Sequence, residues 1–269
     1  MLGTMGRLRT FAVAALVLAA IAVAASPAAA QDRTAPVRQE PPAAFSSFFL
    51  STGTLLMDVT KLNPHFERLD LDAKNRPGFF ALSNDAYSVG VGGYGVIYNR
   101  VLLGAEFSTA DIGSESSPVG KTNQLTTWYG MGTIGYAAWT TWNLSVTPFV
   151  GIGAGTATLT LQSRDGGATV RPDQDPTFDE VIMSPGLRSV MKGRYVLVQP
   201  GLAVDYLVLR DTKSSLGLTI GVRLGSNISP NRTTWTYGGR TVYGGPDAGP
   251  TGGTFRIVAG IGGFRLAGR

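Results

Sequence analysis

Beyond residue 44 the chain consists of eight segments in which apolar residues alternate with small or polar ones, and the links joining these segments alternate between short and long. The segments run approximately Phe45 to Thr60, Tyr87 to Tyr98, Val101 to Thr109, Leu125 to Trp139, Trp142 to Gln162, Arg194 to Leu209, Ser215 to Ser226 and Thr254 to Leu266. The links hold about 26, 2, 15, 2, 30, 4 and 27 residues in order. A period of two is the signature of a strand, whose side chains point to opposite faces in turn. Short hairpin turns are common, whereas long links recurring at every second position are not. The alternation puts all short links at one end of an up-and-down sheet and all long ones at the other. With an even number of strands, both termini lie at the short-turn end. An extra hairpin within the first long link, from HFERLDL and GFFAL, would raise the count to ten.

One parity of each segment is apolar. It holds Leu144, Val146, Pro148, Val150, Ile152 and Ala154 in the fifth segment, Val196, Val198, Pro200, Leu202, Val204 and Tyr206 in the sixth, and Leu216, Leu218, Ile220, Val222 and Leu224 in the seventh. The opposite parity carries Ser88, Gly90, Gly92 and Tyr94; Gly104, Glu106 and Ser108; Gln199, Gly201, Ala203 and Asp205; Gly217, Thr219, Gly221 and Arg223. Alternation alone fits both a membrane barrel, apolar outside, and a soluble calyx, apolar inside. Two features favour the membrane. The polar parity is rich in glycine, where a solvated outer surface would carry Lys, Glu and Thr. Aromatic residues also stand at the short turns: Tyr98 at the first, and Trp139 and Trp142 on either side of the second. Both tryptophans share the apolar parity of their strands, as an interfacial girdle requires. The sequence thus predicts an all-β fold, an eight-stranded antiparallel up-and-down transmembrane β-barrel with long extracellular loops.

The first thirty residues read as a cleaved signal peptide. Arg7 and Arg9 precede a charge-free apolar run, Phe11 to Ala25, and SPAAA ends in a small-residue cleavage pattern before Gln31. The run is shorter than the ~20 residues that span a bilayer as a helix. Residues 31–44, polar and proline-bearing, read as a flexible periplasmic lead-in, and residues 45–269 as the barrel domain. The 269 residues include 36 glycines, no cysteine and only 15% charged residues, low for a soluble exported protein. No Lys/Arg run tracks a phosphate backbone, so nucleic acid is not an expected partner.

With its AxA-type signal, eight alternating segments, short Asn99-Arg100 and Thr140-Thr141 turns and glycine-rich second parity, the mature chain resembles the small bacterial outer-membrane β-barrel proteins of the OmpA-transmembrane-domain or OmpX type. The resemblance implies residence in the outer membrane of a Gram-negative cell, surrounding lipid, delivery by the barrel-assembly machinery, and a charged plug inside the barrel. One departure is the C-terminus: such proteins end their last strand on an aromatic residue, whereas this chain ends FRLAGR, with Phe264 five residues before Arg269.

Four charges fall on the inward parity: Glu106, Asp205, Arg223 and Arg256. Two acids and two bases buried together are expected to pair, because removing one partner of a buried pair costs roughly 3 to 5 kcal/mol. The expected arrangement is a lumenal ion-pair network that plugs the barrel, with Gln199, Ser88 and Tyr94 completing its hydrogen bonds. A closed structural or surface-interacting protein is the leading functional expectation. The alternatives are a narrow, porin-like pore gated by the network and a lateral conduit for small hydrophobic molecules, for which Pro148 and Pro200 would mark an opening by removing ladder donors. A further alternative, an outer-membrane lipid-modifying enzyme, would have to use His65, the sole histidine, in the first long link with Glu67 and Asp70 nearby. No nucleophile motif accompanies it, and the expectation is no enzymatic activity. One histidine and no cysteine furnish no transition-metal site, the acidic run RPDQDPTFDE lacks the spacing and glycine of a calcium loop, and no cofactor is expected. Thr177 and Glu180 match a capping box before a short helix. The long loops carry Phe66, Phe79, Phe80, Phe178, Ile182, Met183, Trp235, Tyr237 and Tyr243, so they are expected to be ordered and to offer a surface ligand its contacts. Closure of the barrel leaves no edge strand, which makes a monomer the expected state.

Overall fold

The computed structural model describes residues 45–67, 79, 81–97, 100–116, 121–141, 143–164, 175–210, 216–231, 233–247 and 249–264, all within the compact unit Pro41–Arg269. The leader and lead-in lie outside the described residues. The strands are β1 (Phe45–Leu56), β2 (Asp85–Ile97), β3 (Val101–Ser116), β4 (Lys121–Tyr136), the two-residue β5 (Trp139–Thr140), β6 (Leu144–Ser163), β7 (Arg188–Arg210), β8 (Leu216–Asn227), β9 (Thr234–Tyr237), β10 (Arg240–Val242) and β11 (Gly252–Phe264), with short helices α1 (Asn63–Glu67) and α2 (Phe178–Met183). Eight of them, β1-β2-β3-β4-β6-β7-β8-β11, pair antiparallel in that order, and β11 returns to β1, so the wall is closed. Among the described residues no helix is long and apolar enough to cross a membrane.

The register sets the shape of this wall. Stepping from Val96 on β2 through Leu102, Gly135, Phe149, Gly201, Gly225, Thr254 and Leu55 returns to β2 at Ala86, a stagger of ten residues from 96 to 86. For eight strands ~4.8 Å apart and rising ~3.4 Å per residue, that stagger tilts the strands by about 40°. Inward glycines open the interior to larger neighbours. A Cβ on Gly92 would sit 2.7 Å from the Phe49 ring, and one on Gly90 would strike the Ser108 hydroxyl.

The wall departs from the sequence reading at the long-link end. The second long link, expected at about 15 residues, shrinks to 117–120 because β3 runs on to Ser116 and β4 starts at Lys121. β7 likewise starts at Arg188 rather than Arg194. In the first link α1 takes up His65 to Glu67, and most of the expected extra hairpin there lies outside the described residues; among the described residues a supplementary hairpin stands in the last link, where β9 pairs with β7 and with β10. α2 carries the expected capping box: the Thr177 amide donates to Glu180 Oε2 at 2.8 Å and the Glu180 amide to Thr177 Oγ1 at 3.3 Å.

Along β4, β6 and β7 the two faces exchange character partway up. Toward the short turns the outward side chains are Leu144, Val146, Pro148, Val150, Ile152 and Ala154 on β6 and Val196 to Tyr206 on β7, with Ile152 64% exposed. Beyond Ala154 and Val196 the outward side chains become Thr156, Thr158, Thr160 and Gln162 on β6, and Arg188, Lys192 and Arg194 beside Val190 on β7. The interior changes in the opposite sense. Near the short turns it holds Ser47, Ser145, Thr147, Asp205 and Thr219; toward the loops it holds Leu125, Ala157, Leu159, Leu161, Met191 and Leu197, all buried. This apolar filling continues without a break into Met57, Val59, Leu62, Phe66, Phe79, Phe178, Val181, Ile182, Trp235 and Val242 of the loops, so a single core caps the barrel.

Candidate functional site

Five inward residues from four strands meet where the polar and apolar fillings join. β3 carries Glu106, β7 Gln199 and Asp205, β8 Arg223 and β11 Arg256, all buried. Arg256, 1% exposed, pairs with Glu106 Oε1, and Arg223 Nη1 reaches Glu106 Oε2 at 3.4 Å. One carboxylate thus bridges two guanidinium groups. Ser108 donates to Glu106 Oε1 at 2.8 Å and accepts from Arg256 Nη1 at 3.2 Å. Arg256 Nη2 donates to Gln199 Oε1 at 3.3 Å, and Gln199 Nε2 donates to Asn227 Oδ1 at 2.6 Å. The Arg223 guanidinium carbon also sits over the Phe49 ring, 3.7 Å from its centroid, a buried cation–π contact.

The second acid is held differently from the expected two-by-two pairing. Asp205 accepts from the Tyr94 hydroxyl at 3.0 Å, while Arg223 gives its direct contact to Glu106. Asp205 and Arg223 both line a cavity of about 30 Å³, about enough for a single water. Ser88, expected in the network, is buried on the same face with its hydroxyl unpartnered. Ser108, Asn227 and Thr254 take the hydrogen bonds instead. The sequence signal for them was present: all three share the inward parity of their strands with the charges. A Cβ on Gly221 would collide with the Asp205 carboxylate, so the glycine opposite that acid is what admits it.

Of the expected girdle, Trp139 is exposed at the short-turn end, where β5 pairs with β6; Tyr98 and Trp142 lie outside the described residues. Tyr136 accompanies Trp139 there. Trp128 and Tyr87 stand outward at the level where the faces exchange, Trp128 tilted onto Phe107 with ring centroids 5.8 Å apart. Parity would have identified all three. Pro148 and Pro200 open no seam: the β6–β7 register runs through both, from Leu144 opposite Tyr206 to Gln162 opposite Arg188. The last strand places Phe264 opposite Phe45.

His65, on α1, meets a residue far from it in the chain. Its Nδ1 lies 2.6 Å from Asp179 Oδ1 on α2, and its ring meets Phe178 edge-on at 5.2 Å. Asp70 and the Glu67 side chain lie outside the described residues. Phe178 in turn packs on Trp235 at 5.3 Å, and a parallel bridge joins Thr177 to Tyr243. The first, third and fourth loops are therefore stitched to one another. In the acidic run, Asp175 faces Arg240 at 3.9 Å; among the described residues no group of three His, Asp or Glu side chains could hold a metal ion. Of the loop aromatics, Phe66, Phe79, Phe178 and Trp235 are buried, Tyr243 is exposed, and Phe80 lies outside the described residues.

No family model matches the chain, and no curated sequence does either. Among solved structures it is similar to the outer membrane phospholipase A from Escherichia coli, at 12% identity and a TM-score of 0.19, over 84% of this chain and 94% of that one. It is likewise similar to the Salmonella typhi outer membrane phospholipase, a dimer with bound calcium, at 12% identity and a TM-score of 0.18, over 85% of this chain and 95% of that one. Superpositions this loose carry nothing about chemistry. The closed eight-stranded antiparallel wall is itself the architecture that the resemblance to small outer-membrane barrels implies.

Proposed function

We propose that the chain is an integral outer-membrane barrel with a sealed lumen, a monomeric scaffold that anchors an ordered cap of loops at the cell surface and has no enzymatic activity. The exchange of faces along the strands carries this reading. On β6 the outward apolar run from Leu144 to Ala154 spans ten residue steps, ~34 Å along the strand and ~26 Å along the barrel axis at a tilt of about 40°, which matches the ~25 Å apolar band of membrane barrels. Trp128 and Tyr87 at its upper edge and Tyr136 and Trp139 at its lower edge suit the two interfaces. Above the band the outward face turns to threonine and cations, as water demands.

The seal has two parts in series. The Glu106, Arg223 and Arg256 cluster fills the lower lumen, and the core around Leu125, Leu159 and Leu197 fills the upper one. Loss of the cluster therefore leaves the second barrier in place, which argues against a gate built from the ion pairs. The stitched loops expose Tyr243 and Met183 at the cap, where a surface ligand would find fixed contacts. The test combines cell fractionation, heat-modifiable gel mobility and swelling of proteoliposomes in small sugars. The protein is expected in the outer-membrane fraction, compact without boiling, and no more permeable than empty vesicles, with Arg223→Ala equally closed. Swelling by the native protein would sink the sealed scaffold, and recovery in the soluble periplasmic fraction would sink the membrane reading itself.

A further inference from the structure

On the outside of the wall, at the upper edge of the apolar band, the chain has a groove of about 700 Å³. Its floor is Gly130 on β4 and Ala154 on β6, two outward positions with little or no side chain; Trp128 forms one wall and Val196 the other, and Arg194, Asn231 and Thr234 close its upper side. Trp128 is held upright by Phe107. The groove is thus apolar below and polar above, with its change of character at the height where the whole wall changes.

The outward charges above it are all cations. Arg188, Lys192 and Arg194 all point outward from β7, and the outward neighbours above the band on β6 and β9 are threonines and a glutamine. The described acids of the adjoining loop are engaged elsewhere: Asp175 with Arg240, Asp179 with His65, and Glu180 with the Thr177 amide. Among the described residues none of the three cations has an ionic partner. The other side of the barrel is opposite in sign, with Asp85 and Asp111 outward on β2 and β3. Arg194 stands two residues, ~7 Å along the strand, above Val196, where the unbroken apolar run of β7 ends, and Lys192 the same distance higher. Phosphates at the head of a membrane lipid lie in that layer.

We propose that the groove and the cations over it form a seat for one anionic, phosphate-bearing lipid of the outer leaflet, an acyl chain lying between Trp128 and Val196 and the phosphate meeting Lys192 and Arg194. The seat rests on the membrane reading above. A free anion would satisfy the cations but leave the apolar groove bare, so the continuity of the two surfaces favours the lipid.

Native mass spectrometry of the detergent-purified protein provides the test, with lipid A, phosphatidylcholine and inorganic phosphate as probes. The expected result is a lipid A adduct that the double variant Lys192→Gln/Arg194→Gln retains at least about tenfold less well, as two lost phosphate contacts imply. Ala154→Phe, which fills the groove and leaves the charge alone, is expected to weaken the adduct by a similar factor. Phosphatidylcholine should bind weakly to all three proteins, and millimolar inorganic phosphate should not displace lipid A. Equal retention by the native protein and the double variant overturns the seat, and so does displacement by inorganic phosphate, which would reduce it to an anion site. Heat-modifiable mobility of each variant shows that the wall is intact. A protein that fractionates with the outer membrane yet shows no preference for lipid A defeats the seat alone, whereas one that never reaches that membrane defeats the reading beneath it.

Discussion

The lower and upper halves of β6 and β7 share one backbone ladder and one register, yet their side chains are arranged in opposite senses. Below Ala154 the wall is apolar outside and polar within; above it, threonine and cations lie outside and leucine and methionine within. Antiparallel pairing of β6 with β7 runs through both halves, so the backbone takes no side in the matter. On the proposed membrane placement, what differs is the medium against the outer face, and the inside adjusts to whatever the outside leaves over. In lipid, the polar groups needed for a unique interior must find each other in the lumen, and in the lower half they do, around Glu106. In water the interior can be filled as in any soluble protein, and the loops then seal its open end with the same core.

The comparison breaks most visibly at Glu106. Replacing it by Leu leaves Arg223 and Arg256 buried without their shared anion and is expected to cost about 3 to 5 kcal/mol, read as a lower urea midpoint for loss of the compact gel form. A variant as stable as the native protein would mean that the lower lumen tolerates unpaired charge and that the two halves differ less than their contacts suggest. A matched pair of lysines tests the outer face. Val150→Lys, near the middle of the apolar band, is expected to destabilise the protein by about 2 to 4 kcal/mol, whereas Thr158→Lys, four strand positions beyond the edge, should change it by less than about 0.5 kcal/mol. Equal costs would remove the boundary from between them.

Smaller effects are expected in the cap. Thr177→Ala removes half of the capping box and should loosen α2 by about 1 kcal/mol, seen as faster amide exchange in residues 178–183 with the wall unchanged. Asp58 makes the weakest test. The Thr60 hydroxyl and then the Thr60 amide hold its carboxyl below the ordinary carboxylate range, so their contribution is present above that range and is lost as pH falls through the lowered value. Amide exchange in residues 57–62 should quicken below about pH 4 in the native protein, and Asp58→Asn should remove that dependence. An unchanged profile in the variant would assign the acid sensitivity to another group.

The lower half was legible because a strand leaves little choice: a period of two puts Glu106, Gln199, Asp205, Arg223 and Arg256 on one face wherever the segment is a strand, and the closed wall brings that face together. Which charge meets which was not legible. It depends on the stagger, which sets Arg256 nearer Glu106 and leaves Asp205 to Tyr94. The upper extensions were missed for the opposite reason. Asp111 to Ser116, Lys121 to Gln124 and Arg188 to Gly193 carry polar residues on the parity that the lower half reserves for lipid, so a template of apolar exteriors ends each strand too early. The β9–β10 hairpin did leave a trace: TWTY and RTV flank Gly238-Gly239, both at positive φ, the pair that a tight two-residue hairpin turn needs. The tie between His65 and Asp179 joins residues 114 positions apart and left none.

The stitched cap also has a temporal side. Trp235, which packs on Phe178, and Tyr243, which bridges to Thr177, both belong to the link between β8 and β11. That link is the last to be delivered in chain order. Until it arrives, the apolar top of the barrel has no lid and Phe178 lacks its indole partner; once it arrives, the lid is set and β11 can close the wall against β1. A chain cut short before this link is therefore expected to leave the apolar top of the barrel uncovered.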